Sequence, residues 1–447
     1  MTKQEAAIKY ITENYLDFNR LRHDLISDKL QVRVAHNLGE EAKGDEASRQ
    51  EYWREMTKND INSIVCHAAQ EYDANITSRE VMTALQSDLI PDVHPLREYI
   101  LSLAPYTPDQ PDWIDFVASQ VRIADNASDS EKGSNGSKSS KGESAVEIAR
   151  TSRTPSTKAD ALWRGCFKKW FVAMVASWMK DEVVNHQVLV LIGKQGIFKT
   201  TWLEHLIPPH LRAYACKLAN SNELNKDERL RIAEFGLISL DEIDSMNNRE
   251  LNQLKSVITA TDVNERAAYA YTKERRVRLA SFCASGNRRD FLTDITGNRR
   301  WLPFEVESIQ NPFYTLLPYE RMYAQAWALA QDPFFSYWFD LDEIEVLEQH
   351  NQHFRDESNE EQLLDVYFAV PADGASNTKF LTTAEISERL IYYGNIKRPL
   401  SLSRLGVLLS QKGFLSVRKG NPQRRGWIVY ERDNEEINAE RRILSKT

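Results

Sequence analysis

The stretch VLVLIGKQGIFKTTWLEHLIPP (188–209) constrains this chain more than any other. Val188 to Ile192 read as a buried strand, and a helix follows that must stop before Pro208. Between them lie Gly193-Lys194-Gln195-Gly196-Ile197-Phe198-Lys199-Thr200, then Thr201. The pattern is G-x-x-x-x-G-K-T, with Phe198 where the last glycine belongs. In such a loop the backbone N–H groups, with those of the helix N-terminus, point at phosphate oxygens. Gly193, Gln195, Gly196, Ile197, Phe198, Lys199, Thr200 and Thr201 are therefore the expected cradle for ATP. Lys199 would reach the β- and γ-phosphates and Thr200 would hold Mg²⁺. The departure has a cost: if the position needs φ > 0, a non-glycine residue pays roughly 1–2 kcal/mol. The Phe198 ring could also crowd the nucleotide.

A second apolar strand, Phe235 to Leu240, ends in Asp241-Glu242-Ile243-Asp244. A carboxylate at a strand's C-terminal end beside a phosphate loop is placed for metal and water, so Asp241 is expected to support Mg²⁺ and Glu242 to polarise the attacking water. The other reading is a strand that exits into an acidic, solvated turn. A third strand, Arg278 to Ala284, runs into Ser285-Gly286-Asn287, where Asn287 could sense a γ-phosphate. Thr296-Gly297-Asn298-Arg299-Arg300-Trp301 then leads into LPFEV. Arg299 and Arg300 are placed to cross a subunit boundary and stabilise charge on a transferring phosphoryl group. Alternatively they are surface charge, or pair with Asp290 or Asp294.

Two basic segments point to nucleic acid. Between the second and third strands, Arg266, Lys273, Arg275, Arg276 and Arg278 interleave with Tyr269 and Tyr271. Single-strand binders pair a cationic track with aromatic stacking faces; a solvated hairpin with tyrosines in the core fits as well. Near the C-terminus, TTAEISERLIYY and SLSRLGVLLSQKGF read as two helices, and SVRKGNPQRRGWIVYE as a hairpin turning at Asn421-Pro422. That is the winged-helix pattern. Its wing carries Arg418, Lys419, Arg424 and Arg425, which fit duplex contact or docking of a protein or neighbouring subunit.

The rest of the chain sets the boundaries. Its 447 residues allow two to four domains, and 42% hydrophobic with 27% charged residues is ordinary for a globular protein. With a formal net charge of -8, any DNA contact must be local. Cys66, Cys166, Cys216 and Cys283 lie too far apart for a disulfide framework or metal-ligand spacing, which fits a reducing cytosol. No signal-type segment or membrane-length apolar run is visible, so a cytoplasmic location without membrane contact is expected. Residues 1–125 read as a mixed, mostly helical N-terminal domain in which short strands around Gln31 to Ala35 could form, and Asp92, His94 and Glu98 as surface groups beside turns. Residues 126–158 are Ser/Gly/Lys-rich and read as a flexible linker. From Gln187 to about Val306 the chain alternates strands and helices, the mark of an α/β domain with a mainly parallel sheet, within an expected ATPase domain of 159–335. A helical connector (336–377), the winged helix (378–432) and a C-terminal tail (433–447) complete the expected order.

The segments GKQGIFKTTWL, LDEID, ASFCASGN and FLTDITGNRRWLPFEV, in that order, resemble the virulence-associated protein E family, and more narrowly its Bacteroides-type VirE members. The resemblance runs from about Trp163 to Phe354. The phenylalanine before Lys199 resembles that narrower group. The family is similar to superfamily 3 helicases, AAA+-like ring ATPases of mobile elements. The resemblance therefore implies an ATP- and Mg²⁺-dependent homo-oligomeric ring, a homo-hexamer or similar. It implies a neighbour's arginine at each site, single-stranded DNA through the ring, and a role in replicating a phage, plasmid or integrated element. Residues 1–125 lack an acidic catalytic cluster, so any primase would be a separate chain. Two readings compete with the motor: a nucleotide-controlled DNA-binding switch with slow turnover, which Phe198 favours, and a degenerate DNA-binding scaffold, which the retained Lys199, Thr200, Asp241 and Glu242 oppose.

Overall fold

The computed structural model describes residues 1–37, 49–72, 75–124, 157–219, 226–265, 274–292, 298–315, 317–355, 359–372, 378–394, 401–420 and 423–444. The chain forms two compact units, one of Met1–Arg289 with Arg299–His350, the other of Asp290–Asn298 with Asn351–Thr447.

The first unit opens with α1 (Lys3–Ile11), β1 (Leu21–Asp24), β2 (Lys29–Asn37), β3 (Arg49–Glu55), α2 (Lys58–Glu71), α3 (Ser78–Leu85) and β4 (Asp92–Val93). Thr2, Thr57 and Thr77 each close a capping box at the head of their helix. The four strands make one sheet in the order β3-β2-β1-β4, with β1 and β4 parallel. The helices cover it through a core that includes Ile11, Leu21, Val32, Ile64 and Val81. Helices outweigh strands among the described residues of this region, and β2 covers the Gln31 to Ala35 stretch where the sequence leaves a short strand open. The other strands leave little local pattern, because β3 carries charges along its length and β4 is two residues long.

Next come α4 (Pro95–Ser102), α5 (Trp113–Ala118), β5 (Val121–Ile123), α6 (Lys158–Met179), β6 (Val188–Ile192), α7 (Lys199–His205), β7 (Ala215–Ala219), α8 (Lys226–Glu234), β8 (Leu237–Asp241), α9 (Asn248–Thr259), β9 (Asp262–Glu265), β10 (Glu274–Val277), β11 (Ser281–Gly286), β12 (Trp301–Ile309), α10 (Tyr319–Gln331) and α11 (Leu341–Asn351). A six-stranded sheet has the order β5-β12-β6-β11-β8-β7. All neighbours run parallel except β5, which is antiparallel to β12. β6 and β11 are buried along their whole length, as strands covered on both faces must be. Because β5 lies in this sheet and Trp113, Ile114 and Val117 lie in its core, residues 113–123 pack with the central layer. The expected linker lies outside the described residues except for Thr157 and Lys158, the N-cap and first residue of α6.

α6 is apolar on most of its surface because it crosses the sheet in the core. Trp163, Phe167, Trp170, Phe171 and Trp178 are all fully buried. Each indole N–H finds a backbone carbonyl: Trp163 to Ala118 at 2.9 Å, Trp170 to Phe282 at 3.1 Å and Trp178 to Gly236 at 3.1 Å. Truncating one to alanine would cost about 3–5 kcal/mol. No helix among the described residues is long and apolar enough to cross a membrane.

The second unit contains α12 (Asn359–Tyr367), β13 (Phe368–Ala369), β14 (Thr378–Leu381), α13 (Thr383–Gly394), α14 (Leu402–Gln411), β15 (Leu415–Lys419), β16 (Arg424–Glu431) and α15 (Asn434–Leu444). β16 pairs antiparallel with β13, β14 and β15. Ile386, Leu390, Leu405, Leu408 and Trp427 fill its core. The expected tail includes the regular helix α15, whose Ile437 packs on that core. The phenylalanine and leucine amides of Phe291 and Leu292 both donate to the Phe354 carbonyl, at 3.2 and 3.0 Å, which ties the inserted 290–298 segment to this unit.

Candidate nucleotide site

The loop after β6 turns sharply before α7. Gly196 has φ 85°, and Phe198, the N-cap of α7, has φ 66° and ψ 19°. The position therefore does need the left-handed conformation that favours glycine, and the phenylalanine adopts it at a cost of roughly 1–2 kcal/mol. Its ring is not wasted, since it meets the edge of Phe313 with centroids 6.4 Å apart.

Lys199 is only 7% exposed. Its Nζ donates to the carbonyls of Gly193 and Lys194, both at 2.7 Å, and to Asn287 Oδ1 at 3.3 Å. Burial lowers its pKa from the ordinary lysine value, against the pull of Asp244 and Asp241. Thr200 Oγ1 lies 3.2 Å from Asp241 Oδ1 and 2.9 Å from Ser285 Oγ, and Ser285 Oγ donates to the same carboxylate oxygen at 2.8 Å. These residues come from α7, β8 and β11, at the ends of adjacent parallel strands. The Lys199-Thr200 pair, Asp241 and Asn287 lie far apart in the sequence, and the strand order brings them together.

Two members were missed. Ser285 was seen only as part of the strand's polar exit. Lys217, on β7, places Nζ 2.7 Å from Asp241 Oδ2. Burial works to raise the Asp241 pKa, but hydrogen bonds from Lys217, Ser285 and Thr200 together hold it below the usual aspartate value. The same bond to Asp241 raises the pKa of Lys217. No motif marks Lys217, because its role depends on β7 lying next to β8.

Glu242 is exposed and left-handed, with φ 52° and ψ 48°, and opens a short 3₁₀ turn, Ile243–Ser245. Two residues on, Asp244 is held by Arg288, whose backbone N–H reaches Oδ2 at 3.0 Å and whose guanidinium reaches the Asp244 carbonyl at 2.6 Å. The β8 exit and the β11 exit are thereby tied together. Oxygen donors from Thr200, Ser285 and Asp241 suit a hard divalent cation that also takes phosphate and water ligands. Among the described residues no cluster of three His, Cys, Asp or Glu could hold a metal by itself.

Residues 141–362 match the family model of the Virulence-associated protein E-like domain. The chain carries a virulence-associated protein E-like domain. The A-form apo structure of the NrS-1 C-terminal region is similar over 96% of this chain and 100% of that one, at 9% identity and a TM-score of 0.45. A further apo structure of the same region covers 96% of this chain and 99% of its own, at 10% identity and a TM-score of 0.44. No curated protein matches.

Within the virulence-associated protein E-like domain, Arg299 and Arg300 form the 3₁₀ turn that leads into β12. Trp301 is level with Val188 at the start of β6, whereas the loop 193–198 follows Ile192 at its other end. At about 3.3 Å per residue the two arginines and the loop of one chain are separated by at least ~13 Å along the strands. They lie instead near His186, whose pKa is lowered by burial and by the charges of Arg278, Arg300 and Arg299.

The basic hairpin is β9–β10, with Arg275 level with Asn264. Arg266, Tyr269, Tyr271 and Lys273 lie outside the described residues. Arg275 is exposed and bonded to Asp262 at 2.7 Å. Arg276 turns inward, its side chain 19% exposed, and pairs with Asp28 at 3.2 Å and Glu234 at 3.7 Å. Arg278 does not belong to a surface track at all. It is 1% exposed and donates to the carbonyls of Ala280, Asn185 and Ala260 at 3.0, 2.9 and 3.3 Å, and to that of Ile258. Burial lowers its pKa to about 9. In the second unit, Arg418 sits opposite Arg425 and Lys419 opposite Arg424 across the β15–β16 hairpin. All four are exposed. Like charges directly opposite one another destabilise a strand pair. The turn residues Asn421 and Pro422 are outside the described residues. Asp92 pairs with His23, Glu98 with Arg22, and His94 caps α4, so these three groups are structural.

Proposed function

We propose that this chain is an ATP-dependent, DNA helicase-like motor ATPase that acts in the replication of a mobile genetic element. The observation that carries the reading is the meeting of Lys199, Thr200, Asp241, Ser285 and Asn287 at one edge of a sheet ordered β5-β12-β6-β11-β8-β7. The central placement of the phosphate-loop strand between β12 and β11 fits an AAA+-like core, and β14, α13, α14 and the β15–β16 hairpin fit a winged helix.

In the reading, the loop amides and α7 take the β- and γ-phosphates of ATP, and Lys199 exchanges its carbonyl partners for phosphate oxygens. A Mg²⁺ ion held by Thr200 and Asp241 would neutralise charge on the transferring phosphoryl group. Glu242, exposed at the β8 exit, orients the attacking water. Asn287 couples the γ-phosphate position to β11, and through Arg288 and Asp244 to the turn that carries Glu242. Arg299 or Arg300 completes the site of a neighbouring subunit. That requirement, with the family resemblance, favours a homo-oligomeric ring around single-stranded DNA in the cytoplasm, served by a separate primase. The paired cations of the β15–β16 hairpin take duplex phosphates.

The test is ATP hydrolysis by the full chain with and without single-stranded DNA, beside Lys199→Ala and Glu242→Gln. DNA-stimulated turnover lost in both variants is expected. Undiminished turnover in Lys199→Ala would remove the phosphate-loop assignment. Tight ATP binding with no turnover on any DNA would favour a nucleotide-controlled switch instead.

A further inference from the structure

Phe313 and Tyr314 follow β12 on the same edge of the sheet as the phosphate loop, since Glu305 is level with Ile192 in parallel register. Phe313 is 65% exposed and Tyr314 87%. Single exposed apolar residues are ordinary on any protein surface. These two are adjacent, and their loop is pinned. Asn311 Oδ1 accepts the Phe313 N–H at 3.0 Å, and the Asn311 carbonyl accepts the N–H groups of Tyr314 and Thr315, both at 3.1 Å.

The Phe313 ring is also fixed in place. It meets Phe198 edge-on at 6.4 Å, before the first residue of α7, and His205 edge-on at 5.5 Å, at the last. One phenyl ring therefore spans the flank of the helix whose N-terminus faces the phosphate position, and most of its surface is still in water. A nucleotide anchored there by its phosphates must lay its base against something, and an aromatic face is the surface to which a base adds most readily. Phe198 then has a purpose beyond the loop: its ring buttresses Phe313 where a glycine would not.

We propose that Phe313 is the base-stacking residue of the nucleotide site, receiving the heterocycle of a bound purine nucleotide, with Tyr314 as the adjoining wall. This rests on the phosphate-loop reading above. Stacking of this kind uses the π-face rather than hydrogen bonds, so it holds the base without reading its edge.

The experiment is calorimetric binding of ADP and, separately, of inorganic pyrophosphate to the full chain with Mg²⁺, for wild type, Phe313→Ala and Phe313→Trp. In Phe313→Ala, ADP is expected to bind about tenfold or more weakly, the loss typical of one stacked base, while pyrophosphate binding stays unchanged. Phe313→Trp should restore ADP affinity. Because the residue is exposed, all three proteins should melt together. ADP affinity within twofold of wild type in Phe313→Ala, or equal loss for both ligands, overturns the assignment and leaves the phosphate loop standing. A wild type that binds neither ligand removes the phosphate-loop reading and this one with it.

Discussion

Lys217 Nζ lies 2.7 Å from Asp241 Oδ2, while Oδ1 of the same carboxylate faces the hydroxyls of Thr200 and Ser285. One side of the carboxylate is thus compensated by a fixed cation and the other is turned toward the start of α7. A positive charge this close weakens the carboxylate's attraction for a divalent ion. The pair is partly exposed, so its coupling is of order 0.2–1 kcal/mol. Lys217→Met should therefore lower the Mg²⁺ concentration needed for half-maximal nucleotide binding by up to about fivefold. A titration of nucleotide binding against Mg²⁺ reads this directly; an unchanged or higher requirement would mean that Lys217 orients Asp241 rather than competing for it.

The left-handed backbone at Phe198 predicts an order of stabilities. Phe198→Ala keeps the strain and loses the ring; Phe198→Gly loses the ring but also the strain. The comparison removes the packing difference and isolates the backbone, so Phe198→Gly should be the more stable of the two by about 1 kcal/mol. Urea unfolding of the two variants measures it. Equal stabilities would show that the loop relaxes out of the positive-φ region when the side chain is small.

How much of this was legible in the sequence follows from what each feature depends on. The turn between β6 and α7 could be read because a buried strand, the glycines and a helix start are signals of local spacing. The glycine-type conformation at Phe198 could be read for the same reason. Lys217 could not, since it becomes part of the site only when β7 pairs with β8. Arg278 read as a surface cation because it sits in a basic run, yet carbonyls from three separate segments enclose it. Of the N-terminal sheet only β2 leaves a local pattern, because β3 is charged and β4 very short, and β5 joins the central sheet from the far side of the linker, a pairing no local pattern announces.

Burial of His94 predicts a pH effect. Its Nδ1 accepts the Arg97 N–H at 3.3 Å as the N-cap of α4, and burial lowers its pKa from 6.5 to about 4. Between those values the unfolded chain takes up a proton that the folded chain refuses. The stability contributed by neutral His94 is therefore full above about pH 6.5 and lost as the pH falls toward 4. Asparagine also caps helices but does not titrate. His94→Asn should accordingly lose less stability than wild type between pH 7 and pH 4.5. Parallel stability curves for the two proteins over that range would exclude His94 as the titrating group.

Gly236, just before β8, packs against Trp178 of α6. A Cβ there would lie 2.8 Å from Leu96 Cδ1 and 2.9 Å from Trp178 Nε1. Trp178 cannot retreat without losing its bond to the Gly236 carbonyl. Gly236→Ala is expected to destabilise the first unit by about 1–3 kcal/mol through overpacking. A thermal melt within a degree of wild type would show that α6 can shift.

The position of Arg300 decides how the proposed site must be completed. Trp301 is level with Val188, so Arg300 stands at the end of β12 away from the loop that follows β6 in its own chain. If it acts in catalysis, it acts on a neighbouring subunit, and the loss on removal should be large, about 10³–10⁵-fold for a residue of this kind. Arg300→Ala and Glu242→Gln should each be nearly inactive alone. In a mixed ring, an interface formed by the intact Glu242 of one chain and the intact Arg300 of the other is whole again, which at equal mixing is about a quarter of interfaces. Turnover should rise with mixing and peak near equal amounts. Flat, near-zero activity at every ratio, with mixed assembly verified by native mass spectrometry, would rule out a shared site and leave Arg300 as a surface charge.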